Sequence, residues 1–189
     1  MISIEDPVEL NIDGVNQIQI NEEYGIGFSE ALKTVLRQDP DVIMVGEIRD
    51  TETAQLAAQA ALTGHLVLAT LHTESAISAL SRLKHLGLAD YLIKATLRAV
   101  VAQRLLRTVC GVCDTGDPHC DSCGGSGFTG RTTIAEMLDL TEAQSFEVDE
   151  LQQHMLENSS LADDAARLLE SGQTNRVEVQ RVLGLNVQI

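Results

Sequence analysis

The stretch Asp39-Pro40-Asp41-Val42-Ile43-Met44-Val45-Gly46-Glu47-Ile48-Arg49-Asp50 decides the fold of this chain. Its apolar run, Val42 to Val45, is short and ends in Gly-Glu, which is typical of a buried strand in a parallel sheet. Ligands of open α/β sheets bind outside the carboxyl ends of the strands, so Glu47 stands at a binding edge. A carboxylate there can hold a hydrated Mg²⁺ or orient a water beside a phosphate. The stretch therefore predicts nucleotide chemistry, with an ordinary solvated carboxylate as the alternative.

The segments around this stretch alternate between short strands and helices. Glycine, proline and capping residues separate the apolar runs along this part of the chain. We predict strands around residues 2–4, 18–20, 42–45 and 66–71, the last of them buried. Helices are predicted to begin at Phe28-Ser29, with Ser29 as the cap, at Asp50 or Thr51, and at Thr73. This order predicts an α/β fold in which helices flank a parallel sheet.

The second half of the chain has a different pattern. Residues 88–107 predict one amphipathic helix, residues 132–138 a short strand or helix start, and residues from about 141 two or three short helices. We divide the chain into an α/β core over 1–108, a cysteine segment over 109–131 and a mostly helical C-terminal region over 132–189. The acidic side chains of that region predict a solvated helix face or, as the sharper alternative, a surface for a neighbouring subunit or a membrane platform protein; they include Glu142, Glu147, Asp149 and Glu150.

Composition excludes several classes of protein. Hydrophobic residues make up 44% of the chain and aromatic residues 3%, so the core must be aliphatic. Thirteen basic residues against 28 acidic ones give a net charge of −15, which argues against nucleic-acid binding and against docking on anionic lipid. No apolar run is long enough to span a membrane, and the first residues lack the pattern of a secretory signal. The expected compartment is the cytoplasm.

A second apolar segment, Ile2 to Ile4, also ends in acid. In a parallel sheet its Glu5 could lie beside Glu47, so that one carboxylate binds Mg²⁺ through water and the other orients the attacking water. Two solvated carboxylates at strand ends are the alternative.

Two histidines, His65 and His72, bracket the predicted strand over 66–71. Because they are seven residues apart, they lie at its two ends and cannot form one metal site. His72 is at the carboxyl end, where an imidazole could donate to a γ-phosphate or polarise a water. Capping or packing histidines are the alternative for both.

A glycine-rich loop for phosphate is the next feature that nucleotide chemistry requires. Only Gly125–Thr132 fits G-x-x-x-x-G-[K/R]-T, with Arg131 in the place of lysine. A true phosphate-binding loop follows a buried strand and opens a helix, whereas this one follows a cysteine pair and precedes a strand-like segment. We therefore do not assign it as a phosphate-binding loop.

Four cysteines form two C-x-x-C pairs, Cys110/Cys113 and Cys120/Cys123, separated by six residues. Two such pairs can hold one Zn²⁺ with four thiolates, and free or redox-active thiols are the alternative. Four thiolates leave no open position, so the predicted zinc is structural. His119 is a spare ligand or an exposed loop histidine.

Several motifs, in this order, make the chain similar to a known family. Residues 2–9, Ile-Ser-Ile-Glu-Asp-Pro-Val-Glu, resemble its Asp box, residues 36–50 its Walker B region, and residues 63–73, Thr-Gly-His-Leu-Val-Leu-Ala-Thr-Leu-His-Thr, its His box. Ala102-Gln103-Arg104-Leu105 and Gly130-Arg131-Thr132 match later patterns. The family is that of the type II secretion ATPases and the related type IV pilus assembly and retraction ATPases. The likeness is to their C-terminal part, close over about residues 1–140 and loose over Ser171 to Leu183.

This resemblance implies a RecA-like motor that forms hexameric rings and hydrolyses ATP, with Mg²⁺, to assemble a pseudopilus or pilus and to secrete proteins. Residues 1–108 would be a partial RecA-like core. Position by position, Glu5 corresponds to the base or water-orienting carboxylate, Glu47 to the Mg²⁺-side acid, and His65 and His72 to the His-box residues. The candidate arginines for phosphate or a neighbouring subunit are Arg37, Arg49, Arg104 and Arg107. The implied partners are platform proteins, which would hold a cytoplasmic motor at the inner membrane.

The family's phosphate-binding loop lies upstream of the Asp box, and this sequence begins at the Asp box. We therefore expect residues 1–189 alone to bind ATP weakly or not at all. One alternative is a noncatalytic partner subunit that lends its Glu and His side chains across a ring interface. Another is a zinc-bearing interaction module of the secretion or pilus machinery. Secretion members carry a four-cysteine motif at this place, with a longer insertion between the pairs, so the cysteines favour secretion without deciding it.

Overall fold

The computed structural model describes residues 1–113, 116–141, 143, 146, 150–151 and 160–185. The chain divides into two compact units, of which the first comprises Met1–Glu74 and Ser78–Arg98 and the second Ser75–Ile77 and Ala99–Ile189. Of the predicted acidic face, Glu142, Glu147 and Asp149 lie outside the described residues, and Glu150 is exposed.

A four-stranded parallel sheet, in the order β2-β1-β3-β4, forms the centre of the first unit. Its strands are β1 (Ile2–Glu5), β2 (Asn16–Gln19), β3 (Val42–Val45) and β4 (Leu66–Ala69). The helices along this part of the chain are α1 (Phe28–Val35), α2 (Thr51–Leu62), α3 (Ala76–His85) and α4 (Asp90–Thr96). Short 3-10 turns lie at Glu22–Tyr24 and Leu36–Gln38. Because α1 packs against β1 and β3, and α2 against β4, the predicted α/β fold with helices flanking a parallel sheet is confirmed.

The core of the first unit is aliphatic, as the low aromatic content predicts. Ile4, Ile43 and Val45 of the sheet are 0% exposed, and so are Leu32 and Val35 of α1. Burial of this apolar surface holds α1 on the sheet, because each fully buried aliphatic side chain contributes about 1.5–3 kcal/mol.

The starts of α2 and α1 were both predicted correctly, but the cap of α1 was not. Asp50 caps α2, and its Oδ1 accepts a hydrogen bond from the Thr53 amide at 2.8 Å. Helix α1 begins at Phe28 and is capped by Gly27, so the prediction of Ser29 as its cap is wrong. Phe28 is 7% exposed and belongs to the core, which favours a helix that already includes it.

Two predictions for the chain after α2 are also wrong. The strand predicted to be buried exists as β4, but it lies at the edge of the sheet, where Leu66 and Leu68 are 57% and 46% exposed. Helix α3 begins at Ala76 and not at Thr73, and the carboxylate of Glu136 accepts a hydrogen bond from the Ala76 amide at 2.8 Å. A side chain distant in sequence therefore satisfies the first turn of this helix.

The second unit is built on an antiparallel pair, β5 (Ala99–Val109) and β6 (Phe128–Asp139). Among the described residues, helices α5 (Leu161–Glu170) and α6 (Arg176–Leu183) pack against the pair. Leu106, Ile134, Ala165 and Val179 form a fully buried cluster in its core. Across the described parts of both units, no helix has the length and apolar character that crossing a membrane requires.

The single helix predicted over 88–107 is wrong. Only Asp90–Thr96 is helical, and from Ala99 onward the chain is strand β5. Leu106 of this strand is 0% exposed and Leu105 is 52% exposed, which is the two-residue alternation of a half-buried strand. Pairing with β6 decides the conformation, and no local pattern carries that information.

Candidate functional site

The carboxyl ends of β1, β3 and β4 lie at one edge of the parallel sheet, and acidic side chains follow two of them. Ile4 pairs with Val45, and the amide of Gly46 donates to the Ile4 carbonyl at 2.7 Å. Glu5 therefore ends β1 beside Gly46, and Glu47 comes directly after. The expectation that these two strand ends are neighbours in a parallel sheet is confirmed.

Glu47 contacts one cationic side chain and one imidazole. Its side chain is 12% exposed, the guanidinium of Arg49 pairs with Oε1, and His72 Nε2 lies 3.1 Å from Oε2. The hydrogen bond from Arg49 is the largest cause that lowers the pKa of Glu47, and His72 adds to it. Glu47 is therefore ionised at neutral pH and can attract a metal cation.

Arg49 also reaches the end of β1. Its Nη1 lies 3.8 Å from Asp6 Oδ2, while the same guanidinium pairs with Glu47. The hydrogen bond to Glu47 raises the pKa of Arg49. One guanidinium thus lies between the carboxylates of two strand ends, and its predicted contact with phosphate stays a prediction.

Glu5 is held by neutral donors. Gln17 Nε2 donates to its Oε1 at 2.9 Å, and Ser3 Oγ donates to the same oxygen at 2.5 Å. These bonds, that from Gln17 first, lower the pKa of Glu5. Sequence reasoning missed both donors. The contact with Ser3 could have been predicted, because Ser3 and Glu5 are two residues apart and lie on the same face of β1. The contact with Gln17 could not, because it depends on the pairing of Ser3 with Gln17 of β2.

His65 lies away from this edge. It precedes β4, at the amino end of the strand, and its Nδ1 is 3.0 Å from the Ala60 carbonyl oxygen and 3.3 Å from Thr63 Oγ1. His72 follows the carboxyl end of β4, and its side chain is 88% exposed. The structure therefore brings His72, and not His65, to Glu47.

The remaining candidate arginines have different surroundings. Arg37 is exposed in the turn after α1, with no hydrogen-bond or ion-pair partner among the described residues. Arg104 lies on β5, where its Nη1 donates to the carbonyl of Gln103 at 2.9 Å. Arg107, also on β5, pairs with the fully buried Glu178 at 2.6 Å. Sequence reasoning missed Glu178, since its spacing is that of an ordinary helix residue.

The four cysteines come together as predicted from their spacing. The Sγ atoms of Cys110, Cys113, Cys120 and Cys123 all lie within 4.8 Å of one another. The Cys110–Cys120 distance is 3.9 Å and the Cys113–Cys123 distance 3.4 Å. Tetrahedral zinc with bonds of about 2.3 Å requires sulfur atoms about 3.8 Å apart, so the donor set and its dimensions fit this ion. His119 is not a member of the group.

Hydrogen bonds shift the pKa values of two of the cysteines in opposite directions. Backbone amides of Val112 and Cys113 lower the pKa of Cys110 to about 6. Bonds to Cys120 and Cys123 raise the pKa of Cys113 to about 12, because its proton is shared with them. The amide of Gly127 donates to Cys123 Sγ at 3.3 Å. The surroundings of Cys110 therefore stabilise its thiolate, and a bound metal cation would take the place of the proton that Cys113 shares with its neighbours.

The loop Gly125–Thr132 does not have the surroundings of a phosphate-binding loop. It leads from the cysteine cluster directly into β6, which begins at Phe128. A phosphate-binding loop instead opens a helix, whose amino end contacts the anion.

Comparison with known proteins decides the family. The sequence pattern described as "Type II/IV secretion system protein" matches residues 1–182. This chain belongs to that family. It is 41% identical to the type II secretion system protein HxcR of Pseudomonas aeruginosa, with 96% of this chain and 42% of that protein aligned. The Vibrio cholerae type II secretion system ATPase E is 39% identical, with 96% and 42% aligned.

Pilus proteins are also among the relatives of this chain. The type IV pilus assembly ATPase PilB of Thermus thermophilus is 47% identical, over 72% of this chain and 18% of that protein. The crystal structure of the pilus retraction motor PilT with bound ADP superposes with a TM-score of 0.76 at 30% identity, over 96% of this chain and 52% of that one. The chain thus spans about half the length of these relatives, or less.

Proposed function

We propose that this chain supplies the catalytic carboxylate edge of a motor ATPase that couples ATP hydrolysis to pseudopilus or pilus assembly and protein secretion. The observation that carries the proposal is the ionised Glu47 at the carboxyl end of β3, with His72 Nε2 3.1 Å away. Membership of the Type II/IV secretion system family supports the reaction and the system. The same family includes secretion and pilus relatives, and the proposal covers both.

Each residue of the edge has a proposed role. Glu47 would hold hydrated Mg²⁺, and the ion would neutralise charge on the phosphates. Glu5, fixed by Ser3 and Gln17, would orient the attacking water. His72 would donate to the phosphate, with His65 as the second His-box residue. Contacts with phosphate or a neighbouring subunit are proposed for Arg37, Arg49, Arg104 and Arg107.

The complete motor is proposed to be a hexameric RecA-like ring in the cytoplasm, peripheral at the inner membrane through platform proteins. The segment that fits the pattern of a phosphate-binding loop, Gly125–Thr132, leads into strand β6 and not into a helix. We propose that this polypeptide by itself binds ATP weakly. Thermal unfolding should give the same midpoint with and without about 1 mM MgATP, a concentration at the upper end of typical KM values. A clear rise of the midpoint would contradict this.

The four cysteines are proposed to hold a structural Zn²⁺. Their four thiolates would complete its coordination, so the ion would stabilise the loop between β5 and β6 without taking part in hydrolysis. Elemental analysis should give one zinc per chain, and a content far below one would remove the site.

The role of the carboxylate edge can be tested in a chimaera. In this chimaera, residues 1–189 replace the matching part of the Vibrio cholerae ATPase and are fused to the rest of that protein. The rate of ATP hydrolysis of the chimaera is then measured. We expect Glu47→Gln and Glu5→Gln to lower the rate by about 10²-fold or more. Glu23→Gln, an exposed carboxylate of the same unit, is the matched control. An inactive chimaera beside an active parent would instead favour the noncatalytic partner subunit.

A further inference from the structure

We infer that Arg107 and Glu178 are positioning residues for the cysteine cluster, because they join both roots of the loop that carries it. The inference rests on the proposed metal site and adds to it two residues that are not ligands. The loop has two roots, Arg107 and Val109 at the end of β5 and Gly127 and Phe128 at the start of β6, and these four residues together are called the loop root.

Glu178 provides the fixed point. It lies in α6, is 0% exposed and pairs within its own helix with Arg181. Its carboxylate also accepts from the amide of Arg107 at 3.0 Å, from Arg107 Nε at 2.8 Å and from Arg107 Nη2 at 2.6 Å. A carboxylate buried in this way is restricted to one position, because both of its oxygens are engaged.

The segment before α6 adds bonds to the same root. Thr174 Oγ1 donates to the carbonyl of Arg107 at 2.9 Å, and the amide of Val109 donates to the carbonyl of Gln173 at 2.9 Å. These bonds hold the last residues of β5, and Cys110 follows Val109 directly. The C-terminal helices therefore fix the strand that delivers the first thiolate.

The guanidinium of Arg107 also contacts the other root. Its Cζ lies 4.1 Å from the ring centroid of Phe128, the first residue of β6. Next to Phe128, the carbonyl of Gly127 accepts from the amide of Cys110 at 2.9 Å, and the amide of Gly127 donates to Cys123 Sγ. The side chain of Arg107, near the end of β5, thus contacts the start of β6, and the four cysteines lie between these two strand ends.

This arrangement reduces the conformational freedom of the thiolates before metal binds. A ligand set whose two ends are fixed loses less entropy on binding, so its affinity is higher. Loss of residues that orient metal ligands typically weakens affinity by about 10–100-fold. Because coupling is reciprocal, metal should also tighten the contact between α6 and the loop root.

The experiment compares Zn²⁺ affinity among variants of the 189-residue chain, by competition with a chromophoric chelator. We expect Glu178→Ala and Arg107→Ala to weaken binding by about 10–100-fold. Saturated variants should still give the Co²⁺ absorption of four thiolates, since all ligands remain. Arg181→Gln is the matched control. Arg181 is the other arginine that binds Glu178, with hydrogen bonds of 2.8 and 2.6 Å, and these bonds involve no residue of the loop root. Its affinity should stay within about threefold of the parent.

Two results would overturn the inference in distinguishable ways. If the parent chain binds no Zn²⁺, the proposed metal site fails and the inference fails with it. If the parent binds and folded Glu178→Ala and Arg107→Ala variants bind equally well, the positioning role alone is refuted. If either variant does not fold, amide hydrogen exchange of the parent chain is measured with and without Zn²⁺ instead. Zn²⁺ must then slow exchange at the Val109 and Arg107 amides, and unchanged exchange refutes the positioning role.

Discussion

Gly46 is the position where the geometry of the carboxylate edge is most sensitive to a single added atom. A Cβ built on Gly46 would lie 2.9 Å from the Ile4 carbonyl oxygen, 3.4 Å from Glu5 Cα and 3.5 Å from Phe28 Cε1. The nearest contact is with backbone, which cannot rotate away, so Gly46→Ala must move β3 against β1. Overpacking of this kind costs about 1–3 kcal/mol. We expect the free energy of unfolding of the first unit to fall by that amount.

Native-state hydrogen exchange is the suitable measurement, because the chain has two units and a single unfolding transition would mix them. The amides of Val45 and Gly46 report on the junction of β1 and β3. Gly27→Ala is the control: nothing lies within 4 Å of the place its methyl group would occupy, its φ of −91° suits alanine, and only a helix cap is weakened, at a cost below about 1 kcal/mol. If Gly46→Ala is no more destabilising than Gly27→Ala, the close approach of the two strands is not as described.

Three further predictions concern stability. Leu106→Ala should cost about 2.7–5 kcal/mol, because Leu106 is 0% exposed in the core of the second unit, whereas Leu105→Ala, at 52% exposure, should cost under about 0.5 kcal/mol; denaturant unfolding compares them. Contacts with Arg181 and Arg107 hold the pKa of Glu178 far below its ordinary value of 4.5, so the stability it contributes is present above pH 4.5 and is lost as the pH falls further. Glu178→Gln should flatten this acid limb, and parallel pH profiles would contradict the assignment. Asp50→Ala should lower the free energy of unfolding by about 1 kcal/mol, because the hydrogen bonds from Thr53 to the capping carboxylate are lost, whereas Asp50→Asn should keep most of this stabilisation. Circular dichroism during urea unfolding measures the stability of both variants.

The centre of the fold could be predicted because its signals are local. Val42 to Val45 is bounded by Pro40 and Gly46, and the strand has those limits. Asp50 precedes the helical pattern of α2 and caps it. Each of these features needs only a few neighbouring residues, so a single sequence carries them.

Features that depend on distant partners could not be predicted. The run over 88–107 has apolar residues at both helical and alternating spacing, and only pairing with β6 makes residues 99–109 a strand. The ion pair of Glu178 could not be predicted for the same reason, because its partner Arg107 is 71 residues away in the sequence. At the carboxylate edge, spacing predicted where Glu5 and Glu47 lie, but not that Gln17 and Arg49 would orient them.

The two carboxylates of the edge are not electrostatically equivalent, and the difference bears on what each can do. Glu47 is paired with the guanidinium of Arg49, whereas Glu5 is held by the neutral donors Gln17 and Ser3. Both pKa values are lowered, so neither group has the affinity for a proton that a general base needs near neutral pH. Phosphoryl transfer depends mainly on positioning and charge stabilisation, which an ionised and fixed carboxylate provides. Within the proposed function, Glu5 is therefore better suited to orienting the attacking water than to removing its proton.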